Sequence, residues 1–345
     1  VPIVPTEGID YTQSYEQIAI PRNSYEEVVD YISNEMIQAA KEIQYTKRDG
    51  ENCARPTKGA CLATRALALI YSASPLANGN NDTYAKSLVD DKGKALLNST
   101  YKEEKWAKAA AACKDVMELG VYDLYHASFN TTEAVGDPKT IVPADSTCIF
   151  AQNTWPKGWK DIDPFKSYRV LFSGDIAPED NTELIFSRID QNATEINHSM
   201  KSFARHSMPR DFGGWNTHGL TQKMVDAYYM NDGSDCPGKD RELNGGNGTE
   251  RLTGFTTLQD YRQGKYKPLA ANVSLQYANR EPRFYASVGY NGSVWEYLSD
   301  PEPTHHNRQT FYYRGSGNGY NNSQFYLRTG ISVKKYVNQT DVPDR

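Results

Sequence analysis

TKGACLATRALALIYSA (57–73) reads as one helix, and its reading decides the fold class. Ala60, Ala63, Thr64, Leu67, Ala68 and Tyr71 recur at three- and four-residue spacings, as one side of a helix requires. The side is rich in small residues, which lets a neighbouring helix approach closely. The segment ends in SASP, where Pro75 cannot continue the backbone ladder. Upstream, PRNSYEEVVDYISNEMIQAA (21–40) opens on a capping box of Ser24 and Glu27, each side chain satisfying an orphan backbone N–H. Val28, Tyr31, Ile32, Glu35, Met36 and Ala39 then repeat at helical spacing. Downstream, a third helix is expected over 102–119, closing at Gly120, a residue suited to the position past a helix end. Its apolar side carries Trp106, Ala109, Ala110, Cys113, Val116 and Met117, so Trp106 is expected in the core. Three such helices predict antiparallel helix pairs. They share no fixed period, so the pattern alone does not specify a solenoid.

Beyond residue 120 the helical period fades. The expected division is a helical scaffold portion over 1–120 and, over 121–345, an irregular lobe with interspersed helices and short strands. Within the lobe, TELIFSRI (182–189) reads as a strand, as does the alternation of Tyr285, Ser287 and Gly289 against Ala286, Val288 and Tyr290. Asn291-Gly292 is a turn signal. A helix is expected from Thr221 through Tyr229. Residues 205–219, 231–250 and 315–323 read as loops, and 324–345 as a half-buried extended end.

Composition narrows the function classes. The chain has 345 residues, a formal charge of −5, and 24 Tyr, 11 Phe and 5 Trp. Ample aromatic surface argues for a packed fold. The absence of Lys/Arg blocks argues against nucleic acid and against a strongly cationic membrane face. No apolar run approaches the ~18 residues of a membrane span. The chain opens VPIVPTEG, without a secretory leader, and is read as a mature or trimmed product. Cysteines at 53, 61, 113, 148 and 236 show no metal spacing and no disulfide framework. Cys61 and Cys113 fall in helical patterns, where Cys acts as a small apolar residue.

The ordered segments 21–40, 55–79, LTQKMVDAYYMNDG (220–233), REPRFYASVGYNGSVW (280–295) and TGISVKKYVN (329–338) together resemble the SusD/RagB family. This resemblance implies outer-membrane lipoproteins of Bacteroidota that capture glycans beside a TonB-dependent transporter. The implied fold is predominantly α, a tetratricopeptide-like helix-pair scaffold with an irregular lobe containing short β-strands. The family implies more helix before residue 1, with a lipidated Cys, and further scaffold helices after 345, so the sequence reads as a fragment. A second chain supplying those helices, clipping in a loop, or a truncated gene would each account for it.

A carbohydrate site needs flat rings for sugar C–H faces and polar groups for hydroxyls. Trp215 in FGGWNTHG is the leading candidate, with Arg210, Asp211 and Asn216 as its polar neighbours. His218 is also close in sequence. Trp155 and Trp159 in NTWPKGWKD form a second candidate pair, and Tyr312 and Tyr313 in TFYYRGSGNG are lesser candidates. Trp295 is expected to pack. No family binding residue transfers, because the family's ligand site lies on sequence-variable segments. No catalytic residue is expected: Asp161 and Asp163 would share a face only in a strand, and no acid pair is legible. No metal or cofactor is expected either, since Asp232, Asp235 and Asp240 lack the spacing of a calcium loop. Asn98, Asn130, Asn192, Asn247, Asn272 and Asn291 head Asn-x-Ser/Thr triplets, read as composition, not glycosylation. The alternatives carried forward are a peptide-binding or transporter-accessory scaffold and, behind it, a glycoside hydrolase.

Overall fold

The computed structural model describes residues 1–51, 55–132, 147–187, 200–246, 249–320 and 326–342. Cys53, Asn192, Asn247 and the ends of the 182–189 and 315–323 readings lie outside them. The chain is predominantly helical, with three two-stranded sheets of two or three residues per strand among the described residues. It divides into two compact units, Val1–Leu124 with Pro178–Ile189, and Tyr125–Ala177 with Asp190–Arg345.

The first unit is built on α1 (Tyr25–Glu42), α2 (Lys58–Ala73) and α3 (Glu104–Glu118). Ser24 and Glu27 make the expected capping box, Thr57 caps α2 through the Ala60 N–H, and Gly120 has φ +64°. Helix α2 packs against both others. Its buried seam is Ala66, Leu69 and Ala73, meeting Val29 of α1 and Ala109 and Ala112 of α3. Arg65 ties all three helices, donating to Ser33 Oγ at 3.1 Å and pairing with Asp115 at 2.6 Å. Lys105 on α3 reaches Glu26 on α1 at 2.7 Å.

The faces differ from the sequence reading. Leu67 and Tyr71 are 55% and 60% exposed, and Trp106, expected in the core, is 42% exposed. Four of the six seam residues are alanines, because an alanine lets two backbones approach where a larger side chain would hold them apart. Leu67, Tyr71 and Trp106 lie outside it. A Cβ at Gly59 would collide with the Tyr122 ring, so the chain after α3 lies against the start of α2. Buried Arg48 donates to Ser187 Oγ and the Pro178 carbonyl, attaching 178–187 to this unit.

The second unit carries α4 (Pro164–Ser173) packed on α5 (Pro282–Ser287). Its core stacks Tyr277, Phe284 and Tyr290, with Tyr285 edge-on, around Phe165, Val225 and Val273. Arg280 is 1% exposed within it and donates to the Val225 and Tyr228 carbonyls at 2.6 and 2.8 Å. The strands are β1 (Ala127–Ser128), β2 (Ile162–Asp163), β3 (Val288–Gly289), β4 (Ser293–Trp295), β5 (Arg308–Thr310) and β6 (Ser332–Val333). They pair antiparallel as β1–β2, β3–β6 and β4–β5.

Of the two strand expectations, the one through 285–290 holds only at its end, as β3, and the one over 182–189 fails across its described part. Residues 285–287 belong to α5, started by Pro282 at its first position; all of Phe284–Ser287 are buried, so no inside–outside alternation exists to read. The described part of 182–189 makes a turn and then runs without a ladder partner. The turn at Asn291-Gly292 is present, with Gly292 at φ +84°, but β3 and β4 do not form a hairpin; each pairs with a later strand. The expected helix after Thr221 is a short one, Gln222–Asp226, capped by the Thr221 hydroxyl. Cys61, Cys113 and Cys148 are free thiols, with Cys61 buried and Cys113 packed against the α2–α3 seam, and Cys236 is buried.

Candidate functional site

FGGWN has a backbone reason for its composition. After the helix Met200–Ser207 and the turn Arg210–Phe212, the chain reverses along the helix end. Gly213 takes φ +83°, a Cβ at Gly214 would strike the Met208 carbonyl, and Asn216 takes φ +51°, which asparagine tolerates better than most residues. The returning N–H groups of Trp215, Asn216 and Thr217 then donate to the carbonyls of Arg205, Met208 and His206 at 2.7, 3.1 and 2.8 Å. These bonds satisfy carbonyls that the helix end leaves open. Beneath the turn, Met208 and Phe212 pack on Trp295 and Val337, so Trp295 is core as expected.

Trp215 is therefore held on a rigid turn, half-buried. The Arg205 guanidinium sits 4.4 Å from its ring centre and His206 meets it edge-on at 4.6 Å. His206 stacks on His218 at 5.2 Å, and His218 meets Phe203 at a tilt, with ring centres 4.5 Å apart. Burial holds both imidazoles below the ordinary histidine value; the Arg205 charge adds to this at His206, and His206 adds to it at His218.

A second loop is fastened to this turn. Asn318, fully buried, donates to the Asp211 carboxylate at 2.6 Å and accepts from the Asp211 N–H at 3.2 Å, and its carbonyl accepts from Asn216 at 2.6 Å. The loop closes on itself through Gly315 N–H to the Tyr320 carbonyl at 3.1 Å and Ser316 Oγ to the Tyr313 carbonyl at 2.7 Å. It presents Tyr313 and Tyr320 at 60% and 41% exposure.

The candidates named from sequence thus separate. Trp215 and Arg210 are half-buried on the turn. Asp211 is exposed, but its carboxylate serves the loop clamp. Asn216 and Tyr312 are 0% and 4% exposed, packed inside the unit and turned away from any surface ligand. The surface rings of that segment are Tyr313, which the sequence offered beside Tyr312, and Tyr320, which sequence reasoning passed over; the Gly-Ser-Gly run that displays them was the available signal.

Trp155 and Trp159 lie on a different turn. Trp155 stacks on His126 at 5.6 Å, the Trp159 N–H donates to the Phe150 carbonyl, and Ile149 and Phe150 beside them are 69% and 62% exposed. Asp161 accepts from the Trp155 N–H, and buried Asp163 caps α4 through the Lys166 N–H, so these carboxylates serve the backbone. Asp232 accepts from Ser234 and Asp235 pairs with Lys239 at 2.7 Å. No cluster of three or more His, Cys, Asp or Glu suited to a metal occurs among the described residues, and no helix there is long and apolar enough to cross a membrane.

Residues 182–344 match the model of the SusD family. Among solved structures, BT4246 superposes with TM-score 0.68 at 21% identity, covering 98% of this chain and 53% of its own. A SusD-like protein, BF3747, from Bacteroides fragilis NCTC 9343 superposes with TM-score 0.57 at 16% identity, covering 99% of this chain and 48% of its own. This chain spans about half the length of these structures, whose likeness concerns the fold. No curated protein sequence matches it. The match to the SusD family thus covers the region that carries the clamped loops, and nearly the whole chain shares the fold of these SusD-like structures.

Proposed function

We propose that this chain captures oligo- or polysaccharide without chemically altering it. In this reading it acts at the outer-membrane surface of a Bacteroidota cell, as part of a lipid-anchored protein on a tetratricopeptide-like scaffold that delivers glycan to a TonB-dependent transporter. The observation that carries the reading is the presentation of rings on loops that are themselves tied down: Trp215 on one, Tyr313 and Tyr320 on the other, with Asn318 joining the two. A ring covering ~50 Å² of sugar C–H surface contributes about 1 kcal/mol. Two or three rings with a few hydrogen bonds reach roughly −4 to −6 kcal/mol, millimolar to tens of micromolar. Rigid loops favour such binding because little side-chain and loop entropy remains to be lost. Against a hydrolase, Asp161, Asp163 and Asp211 already spend oxygens on neighbouring N–H groups.

The test is titration calorimetry against a panel of plant, host and microbial polysaccharides, with wild type, Trp215→Ala and the Tyr313→Ala/Tyr320→Ala pair. Saturable binding that falls at least tenfold in one folded variant supports the reading and places the site. Binding untouched by both variants moves the site to the Trp155 and Trp159 turn. Folded wild type that binds no polysaccharide refutes the reading in favour of a peptide-binding or transporter-accessory scaffold.

A further inference from the structure

We infer that the Trp215 turn carries an acid-sensitive latch, the stacked imidazoles of His206 and His218, whose protonation loosens the chain 215–218 from the helix end. The two rings belong to the two elements that the turn joins, His206 to the helix Met200–Ser207 and His218 to the returning chain. They lie 27° from parallel with centres 5.2 Å apart. Backbone bonds hold the same two elements together. The His206 carbonyl accepts from the Thr217 and His218 N–H groups at 2.8 and 3.2 Å, beside the bond from Trp215 to the Arg205 carbonyl at 2.7 Å. Repulsion between two charged rings would therefore pull against the bonds that position Trp215.

The surroundings suit uncharged imidazoles. The Ser207 hydroxyl donates to the Phe203 carbonyl at 2.9 Å, so its oxygen accepts from His218 Nδ1 at 3.2 Å. The proton of neutral His218 is thus on Nδ1, and an added one goes to Nε2. His206 Nδ1 meets the Thr217 hydroxyl. From the helix, the Arg205 guanidinium and the Phe203 ring face the pair, and from the returning chain the Trp215 ring does. From the 329–338 segment, Tyr336 packs edge-on to Phe203 at 4.8 Å, with the Lys335 ammonium 5.7 Å from the Tyr336 ring centre. Among the described residues the histidine paired with a carboxylate is His305, with Asp300, and neither ring of the latch has such a partner.

Like charges at this separation, partly removed from water, disfavour each other. Both rings lie below the ordinary 6.5, as burial and the neighbouring cation require. The loosened turn then binds protons more readily than the folded one. The latch is complete above pH 6.5 and is lost progressively as the pH falls below it. Its effect on ligand, unlike the latch itself, rests on the glycan reading: the Trp215 platform would hold glycan near neutrality and release it in acid.

The test is hydrogen exchange on the full chain at pH 7.5 and 5.5, corrected for the intrinsic pH dependence, with residues 282–290 as the reference. Wild type is compared with His206→Asn/His218→Asn, whose side chains keep a polar group near the Nδ1 positions, and with His305→Asn as a distant control. Opening of 205–218 is expected to rise at least tenfold in acid in wild type and in His305→Asn, and less than threefold in the double variant. Opening in wild type no greater than that of 282–290, or a double variant with the full response, would overturn the inference. If near-UV circular dichroism shows the double variant unfolded, imidazole titration of wild type by NMR decides: both rings titrating below 6.5 supports the latch, and either at or above 6.5 overturns it. Titration of the polysaccharide panel at both pH values separates the two readings. Binding at pH 7.5 that falls at least tenfold at pH 5.5 supports both. Binding that ignores pH while 205–218 opens removes the effect on ligand, and absence of binding at either pH removes the glycan reading while the exchange result still stands for the latch.

Discussion

If Asn318 joins the two ring-bearing loops, its removal should loosen both at once. Asn318→Ala deletes a charge-assisted hydrogen bond to Asp211 at 2.6 Å, a bond from the Asp211 N–H at 3.2 Å and a long one to the Phe311 carbonyl at 3.3 Å. Bonds to charged groups contribute about 1.5–3 kcal/mol and neutral ones about 0.5–1.5 kcal/mol. Asp211 is exposed, so water recovers part of its loss. A destabilisation of about 2 kcal/mol is therefore expected from urea unfolding. A double-mutant cycle with Asp211→Ala should give a coupling of about 1–2 kcal/mol, because the two side chains are in contact. Asn318→Asp should be worse than alanine, since it sets two carboxylates against each other. Hydrogen exchange resolves where the change falls: residues 209–216 and 311–320 should both lose protection, with α5 unchanged. A coupling below about 0.3 kcal/mol, or loosening of one loop alone, would refute the clamp.

The remaining predictions concern the helical unit. Ala112 is fully buried in the small-residue seam, so Ala112→Leu should lower stability by about 1–3 kcal/mol, read as a drop in melting temperature, whereas the same change at exposed Ala111 should be near neutral. The Lys94 ammonium, with the Ser24 N–H, holds the Glu27 carboxyl at about 2, below its ordinary 4.5. Its folded value is depressed, so its contribution is present above pH 4.5 and is lost as the pH falls from there towards 2. Helix content measured by circular dichroism across that window should therefore fall less steeply in Glu27→Gln than in wild type.

What could be read in advance follows from how local each cause is. A capping box involves residues three apart, so Ser24 and Glu27 announce α1 without reference to anything distant. Gly120 and Thr221 mark a helix end and a helix start for similar local reasons. The buried strip of α2 was not readable in this way. Both of its sides carry apolar residues, and which one faces inward depends on two other helices; the structure buries Ala66, Leu69 and Ala73 and leaves Leu67 and Tyr71 outside. The same ambiguity misplaced Trp106. At 284–287 every direction is covered, so the period that separates strand from helix carried no signal.

The site divides likewise. By itself the sequence determined that Trp215 sits on an irregular turn, since glycines at 213 and 214 and asparagine at 216 answer backbone demands made within a few residues. It also determined a predominantly helical chain whose segments match the SusD/RagB family. Only the tertiary structure decided that Asn216 and Tyr312 face inward, that Asp211 is engaged by a residue 107 positions away, and that Tyr313 and Tyr320 are exposed. Exposure and pairing are properties of what lies across from a side chain. For these loops the opposite wall comes from distant parts of the sequence, brought there by the packing of Met208 and Phe212 on Trp295.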